Sequence, residues 1–153
     1  MNVLAIDPGP TASAFVLFDG DRVLDQGHLD NEALLERLIA REFGPAGYVT
    51  AIEQIESMGM AVGRETFETV FWSGRFAQAT CRPFDRVTRR DVKLHLCGTM
   101  RAKDQHVRQA LLDKFGGRRA AMGRKASPGP LHGVGSHRWA AVAVAVTWWE
   151  TKR

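Results

Sequence analysis

The sequence has few cysteines, no long apolar run and no basic segment ahead of its first apolar residues. Only Cys81 and Cys97 are present, which excludes a disulfide framework and gives no zinc-type spacing. No apolar stretch approaches the roughly 18 residues that a membrane span needs. Asp7 interrupts the first apolar run too early for a signal peptide. We therefore expect no membrane association and a reducing, cytoplasmic compartment.

The residues that are present are those of one ordinary globular domain. The chain has 153 residues, of which 44% are hydrophobic and 25% charged, close to the average for soluble domains. A chain of about this length buries about two-thirds of its unfolded surface, so it needs no metal or disulfide to support its core. The length and composition predict a single domain over residues 1–153.

Charge is distributed unevenly along the chain. The formal net charge of +4 combines a balance of −7 over residues 1–85, +9 over residues 86–125 and +2 over residues 126–153. A basic segment that follows an acidic half suggests a polyanion bound near carboxylates. A solvated basic surface would give the same charge balance, so charge alone leaves both interpretations open.

The pattern of apolar and turn residues predicts a mixed sheet with helices on its faces. Three strands would form a meander and two more would alternate with helices; the strands are expected at 3–6, 12–18, 22–28, 48–55 and 84–87. Helices are expected after Asp30 or Asn31 (ending at Gly44-Pro45), and around 67–77, 90–96 and 103–115. Residues 116–135 predict a mobile basic loop, and Ser136 would cap a last helix that continues to Trp149.

Two carboxylates stand where strands should be apolar. Asp7 directly follows four apolar residues, and Glu53 interrupts the fourth strand. Each could simply mark a strand end that points into solvent, but on neighbouring strands the two would converge. His137 opens the last helix, where position 140 shares its face. Oxygen ligands with one imidazole suit Mg²⁺ or Mn²⁺ better than a structural zinc.

Four motifs carry a family resemblance. AIDPG at 5–9 and AIEQ at 51–54 resemble the first two acidic motifs of RuvC-type Holliday-junction resolvases. Residues 86–107, with Lys93 and Lys103, are similar to that family's basic stretch, and SHRWAAVAVAV at 136–146 resembles its closing helix, H-x-x-D-A-x-A-x-A. The motifs follow the family's order over nearly the whole chain.

The resemblance implies an α/β ribonuclease H-like fold whose five-stranded mixed sheet has three antiparallel strands followed by two parallel ones. It also implies a homodimer and two divalent ions per active site, Mg²⁺ with Mn²⁺ as a substitute. Asp7 would bridge the ions, Glu53 would flank them and His137 would complete one shell. Lys103 would stand near the scissile phosphate, where its charge offsets developing negative charge.

One position departs from the family pattern. An acid is expected three residues after His137, and the sequence has Ala140 there. An inactivating substitution, a substitute ligand such as Glu56 or Asp91, or a protein that binds junctions without cutting them would each account for this. We favour the first, because the other expected site residues are present.

Two further groups of residues suggest contacts with DNA. The basic residues expected to hold the phosphate backbone are Arg86, Arg89, Arg90, Lys93, Arg101, Lys103, Arg118, Arg119, Arg124 and Lys125. The last four lie in the predicted loop, where a solvated tether is an equal alternative. The apolar residues expected to act as a junction wedge or in the dimer interface are Met58, Met60, Phe67 and Phe71.

The resemblance and the charge pattern together predict a metal-dependent DNA endonuclease of recombination and repair. It would resolve four-way and other branched junctions in the cytoplasm of a bacterium or of a phage-infected bacterial host. The alternatives are a branched-DNA-binding protein without cleavage and an RNA-processing nuclease of the same fold. An actin-like ATPase is disfavoured, because the chain is too short for a two-lobed nucleotide cleft.

Overall fold

A mixed five-stranded sheet runs through the centre of the protein, whose computed structural model describes residues 1–44 and 47–153. Its strands are β1 (Asn2–Asp7), β2 (Ala12–Phe18), β3 (Val23–Asp30), β4 (Tyr48–Gln54) and β5 (Phe84–Thr88). The spatial order is β3-β2-β1-β4-β5. The first three strands pair antiparallel, and β1–β4 and β4–β5 pair parallel. This is the predicted arrangement of three antiparallel strands followed by two parallel ones.

Helices cover both faces of the sheet. They are α1 (Asn31–Ile39), α2 (Arg64–Ala79), α3 (Arg89–Cys97), α4 (Asp104–Lys114), α5 (Arg118–Met122) and α6 (Arg138–Thr151). One core lies between the sheet and α1 with α2, and the other lies between the sheet and α3 to α6. Within residues 1–44 and 47–153, no helix combines the length and apolar character that a bilayer crossing requires.

The last helix is buried along most of its length. Eight consecutive residues, Ala141 to Trp148, are buried, because α6 packs on β1 and β2 on one side and on α3 and α4 on the other. A helix that is apolar all round is stable only in such a setting. Position 140 is thus fixed against the sheet by the residues that follow it.

Residues 116–135, predicted as a mobile basic loop, contain short regular elements. They contain α5 and a two-stranded ladder of β6 (Gly123–Arg124) and β7 (Ser127–Pro128). Ala121, Leu131 and Val134 are buried in the α6-side core, and this burial supplies the free energy that orders a Gly-rich segment. The exposed basic residues of the segment therefore lie on an ordered element.

Two predicted helix boundaries are also changed. Ser136 does not cap α6: its φ is +50° and the helix has no side-chain cap, so His137 takes the N-cap position. Backbone bonds from Arg138 to Gly135 and from Trp139 to Ser136 close this turn instead. α1 ends at Ile39, five residues before the predicted stop at Gly44-Pro45, and Pro45 lies outside the described residues.

Candidate metal and nucleic-acid site

Asp7 and Glu53 lie side by side at the carboxyl edge of the sheet. The parallel register pairs Ile6 with Ile52, so the next residue on each strand is an acid. Val3, Ala5 and Ala51 face the α6-side core, and the two-residue period of a strand puts Asp7 and Glu53 on that same face. The two carboxyl groups are close enough for Glu53 to raise the pKa of Asp7.

The turn after Asp7 is held by buried polar contacts. The Gly9 amide donates to Ser13 Oγ at 3.1 Å, Ser13 Oγ donates to Asn31 Oδ1 at 2.6 Å, and Asn31 Nδ2 donates to the Gly9 carbonyl at 2.9 Å. A Cβ at position 9 would lie 2.3 Å from the Ala12 carbonyl oxygen, so only glycine fits. These contacts tie the end of β1 to the start of α1 and fix the position of Asp7.

Burial and the neighbouring acid together change the acidity of Asp7. Its pKa is raised from 3.8 to about 8, first by burial, then by repulsion from Glu53 and by the hydrogen bond with it, while Arg89 opposes the rise. Two adjacent carboxyl groups do not both ionise readily. The pair therefore holds a proton near neutral pH unless a cation takes its place.

Arg89 already supplies one cation at this edge. Its Nε donates to Glu53 Oε1 at 3.1 Å and its Nη1 donates to Asp104 Oδ1 at 2.8 Å. Burial alone would lower the pKa of Arg89, but Glu53, Asp104 and Asp7 together raise it. Sequence reasoning assigned Arg89 to DNA, whereas the structure pairs it with two carboxylates.

These residues line a cleft of about 200 Å³ between the sheet edge, α3, α4 and α6. Its polar lining adds Lys93 and Arg108 to the groups already named, and its apolar lining includes Ala140 and Ala143. Sequence reasoning missed both Asp104 and Arg108. Their spacing of four residues was a usable signal, because it places them on one face of a helix whose Val107 points inward.

His137 does not join the two acids as a third ligand. It lines the cleft, but its ring stacks on His28 of β3, with centroids 4.5 Å apart and planes at 17°. In the part of the chain that the structure describes, no three His, Cys, Asp or Glu residues are close enough to hold one ion. The predicted set of Asp7, Glu53 and His137 is therefore not assembled, because His137 precedes α6 and lies beside β3.

Ala140 leaves a methyl group where the resemblance predicts an acid. It lies in the first turn of α6 and lines the cleft with Asp7 and Glu53. Asp91 does not replace it, because Asp91 accepts the Thr88 amide in the capping box of α3. Glu56 does not line this cleft; it lines an adjoining pocket that shares Asp7, Glu53 and Arg89 with it. The only other acid that lines the cleft among the described residues is Asp104.

Most of the basic residues predicted to hold DNA are exposed, but few of them line this cleft. Lys93 lines it, and Lys103 precedes Asp104 at the start of α4, outside the lining. The remaining predicted residues have exposed side chains and lie on β5, on α3, before α4 and on the α5 segment: Arg86, Arg90, Arg101, Arg118, Arg119, Arg124 and Lys125. Exposure at these positions suits phosphate contacts, which need no base readout.

An exposed apolar surface lies along α2 and the loop before it. Met58, Met60, Phe67 and Phe71 are 60% to 76% exposed, and Val62 and Val70 extend the surface. Monomers rarely expose so many large apolar side chains together. We call these six residues the α2 surface.

Comparisons with known proteins support the fold. No family model matches the chain and no curated protein matches it. The structure of Thermus thermophilus RuvC is similar at a TM-score of 0.61 and 21% identity, covering 96% of this chain and 92% of that one. A structure of T. thermophilus RuvC with a Holliday junction substrate is similar at a TM-score of 0.59 and 21% identity, covering 96% and 91%. The predicted resemblance to RuvC is confirmed in three dimensions, and the fold is ribonuclease H-like.

Proposed function

We propose that this protein is a metal-dependent junction endonuclease that binds four-way and other branched DNA as a homodimer. The observation that carries the proposal is the Asp7–Glu53 carboxylate pair inside a cleft lined by Arg89, Lys93 and Arg108. A fold shared with RuvC, one of whose structures holds a Holliday junction substrate, supports branched DNA as the ligand. The absence of an acid at position 140 leaves the cleavage step impaired.

The donor atoms suit a hard divalent cation. Mg²⁺ is commonly held by one or two carboxylates, with water and substrate phosphate completing its shell. Asp7 and Glu53 meet that requirement for one ion, and the raised pKa of Asp7 reflects a site that favours added positive charge. The donors do not suit two ions, because Ala140 supplies no oxygen and His137 stacks on His28. A divalent ion held there would act as a Lewis acid toward the phosphodiester.

The chain's own residues would bind and orient the DNA. Asp7 must lose its proton before it can ligate a cation, so deprotonation of the pair is the first step. Lys93 and Arg108 would contact the phosphate that enters the cleft, and Lys103 would contact the next one along the backbone. The buried α6 fixes the floor of the cleft, so this charge is held in place before DNA arrives.

The α2 surface is the proposed dimer interface or junction wedge. Cleavage of two equivalent strands of a four-way junction requires two equivalent active sites, and a two-fold dimer provides them. Phe67 and Phe71 project from α2 with at least 60% of their surface exposed. Packed against a partner subunit, they would bury apolar surface in the dimer interface. Inserted at the junction centre, they would offset part of the free energy of unstacking a base step, a few kcal/mol.

Restoring the missing acid tests the proposed function. We expect Ala140→Asp to cleave a four-way junction in Mg²⁺ at least tenfold faster than the unmodified chain, since the carboxylate would complete the ligand set. Asp7→Asn in the Ala140→Asp background is the matched control and should abolish the gain. Absence of any gain would contradict an endonuclease mechanism.

Binding measured in EDTA separates the alternatives. A junction preferred over linear duplex in EDTA, together with no cleavage by either chain in Mg²⁺, would favour the non-cleaving DNA-binding protein that Ala140 suggests. Competition by structured RNA stronger than that by branched DNA would favour an RNA-processing nuclease. The binding measurements do not depend on the metal, because phosphate contacts by Lys and Arg persist without it.

A further inference from the structure

Arg89 is held between two acids of the cleft. Glu53, only 12% exposed at its side chain, accepts from Nε, and Asp104, 84% exposed, accepts from Nη1. The guanidinium is planar, permanently charged and able to donate in two directions at once. It therefore joins the sheet edge to α4 through one fixed positive charge.

The local structure places Arg89 there before any ligand binds. Val87 of β5 pairs with Glu53, so the residue that opens α3 begins beside that acid. Thr88 caps α3 and exchanges two hydrogen bonds with Asp91, and Val92, one turn later, is buried. Backbone, cap and core together fix the helix start from which Arg89 extends.

The cleft has too little negative charge to bind two divalent ions. Its lining contains three carboxylates, Asp7, Glu53 and Asp104, and three cations, Arg89, Lys93 and Arg108. Even with all three carboxylates ionised the lining carries no net charge, and two divalent ions would add four positive charges to it. Sites of that kind neutralise their ions with several carboxylates, and here the expected acid is Ala140.

We propose that the guanidinium of Arg89 takes the place of a second cation, so that this cleft binds one divalent ion per chain. Asp104 then anchors Arg89 and is not a metal ligand. This inference rests on the proposed function, because it assumes that the Asp7–Glu53 pair binds a divalent ion. It differs from the two-ion site that the resemblance implies, and the difference follows from residues 89, 104 and 140 of this chain.

The number of Mn²⁺ ions bound per chain tests the inference without DNA. Free Mn²⁺ is followed by electron paramagnetic resonance while it is titrated into metal-free protein, so cleavage plays no part in the result. We expect one ion per unmodified chain. Arg89→Ala should admit a second ion or bind the first at least tenfold more tightly, and Arg89→Gln should do the same with less change in packing. Arg90→Ala, which removes the neighbouring exposed arginine, is the matched control and should leave both values unchanged.

Each outcome separates the inference from the proposed function. Two ions bound by the unmodified chain, or Arg89 variants that behave like Arg90→Ala, would overturn the inference and leave junction binding intact. No ion on the unmodified chain but one on the Arg89 variants would overturn the one-ion site and would show that Arg89 excludes metal altogether. No ion on any variant would overturn both the inference and the metal-dependent mechanism.

Discussion

Replacing Asp7 with asparagine should stabilise the metal-free protein at neutral and alkaline pH. The folded-state pKa of Asp7 is raised from 3.8 to about 8, so the folded chain holds a proton that the unfolded chain releases. The contribution of this group to stability is complete below about pH 4 and is lost as pH rises toward 8. At about 1.4 kcal/mol per pH unit, the loss amounts to at most about 6 kcal/mol, and at pH 7 to about 4 kcal/mol. Asparagine carries no such proton and can still hydrogen-bond to Glu53.

Urea unfolding in EDTA at about pH 5, 7 and 9 measures the effect. The difference in free energy of unfolding between Asp7→Asn and the unmodified chain should grow by several kcal/mol across this range. Asp21→Asn, at an exposed turn residue, is the control and should show a constant difference. Adding Mg²⁺ near pH 8 should stabilise the unmodified chain but not Asp7→Asn, since only the former can exchange its proton for the ion. A pH-independent difference for Asp7→Asn would refute the proposed burial of a protonated carboxyl pair.

Four further changes test other parts of the structure. Phe76→Ala should destabilise the protein by about 3–5 kcal/mol in urea unfolding, because Phe76 of α2 is fully buried against the sheet. Thr88→Ala should cost about 1 kcal/mol through loss of the α3 cap. Phe71→Asp should convert a dimer to a monomer in analytical ultracentrifugation while each chain stays folded, because Phe71 is 60% exposed within one chain and only the stability added by association is lost; a monomeric unmodified chain would contradict the dimer. Removing Arg118 and Arg119 together should reduce the salt dependence of junction binding by about two phosphate contacts, and an unchanged slope would exclude them from the DNA interface.

Local sequence signals were enough to predict the sheet and its two acids. Short apolar runs bounded by turn residues such as Asp19-Gly20 marked all five strands, and a charge inside such a run drew attention to Asp7 and Glu53. Their adjacency follows from the β1–β4 pairing, which joins residues more than forty positions apart. The order of the motifs predicted that strand pairing through the resemblance to RuvC. Composition alone could not have predicted it.

The parts that sequence reasoning missed depend on packing between distant elements. The Arg89–Asp104 pair exists because α3 and α4 pack together beside the sheet edge, and the sequence alone does not show that these two residues meet. His137 was expected at the metal site, but stacking on His28 depends on how the turn before α6 meets β3. Residues 116–135 show no regular pattern in the sequence, because their structure depends on three buried side chains that are separated by glycines and arginines.

The site residues come from both ends of the chain and from its middle: Asp7, Glu53, Arg89, Asp104 and Ala140. The last of these lies on the helix that fills the α6-side core, so no partial fold contains the cleft. Binding at the cleft therefore requires the cooperative unit as a whole, and local opening of any one of these elements would interrupt it. The slowest-exchanging amides of β1 and α6 and the affinity for a divalent ion should consequently disappear together on unfolding.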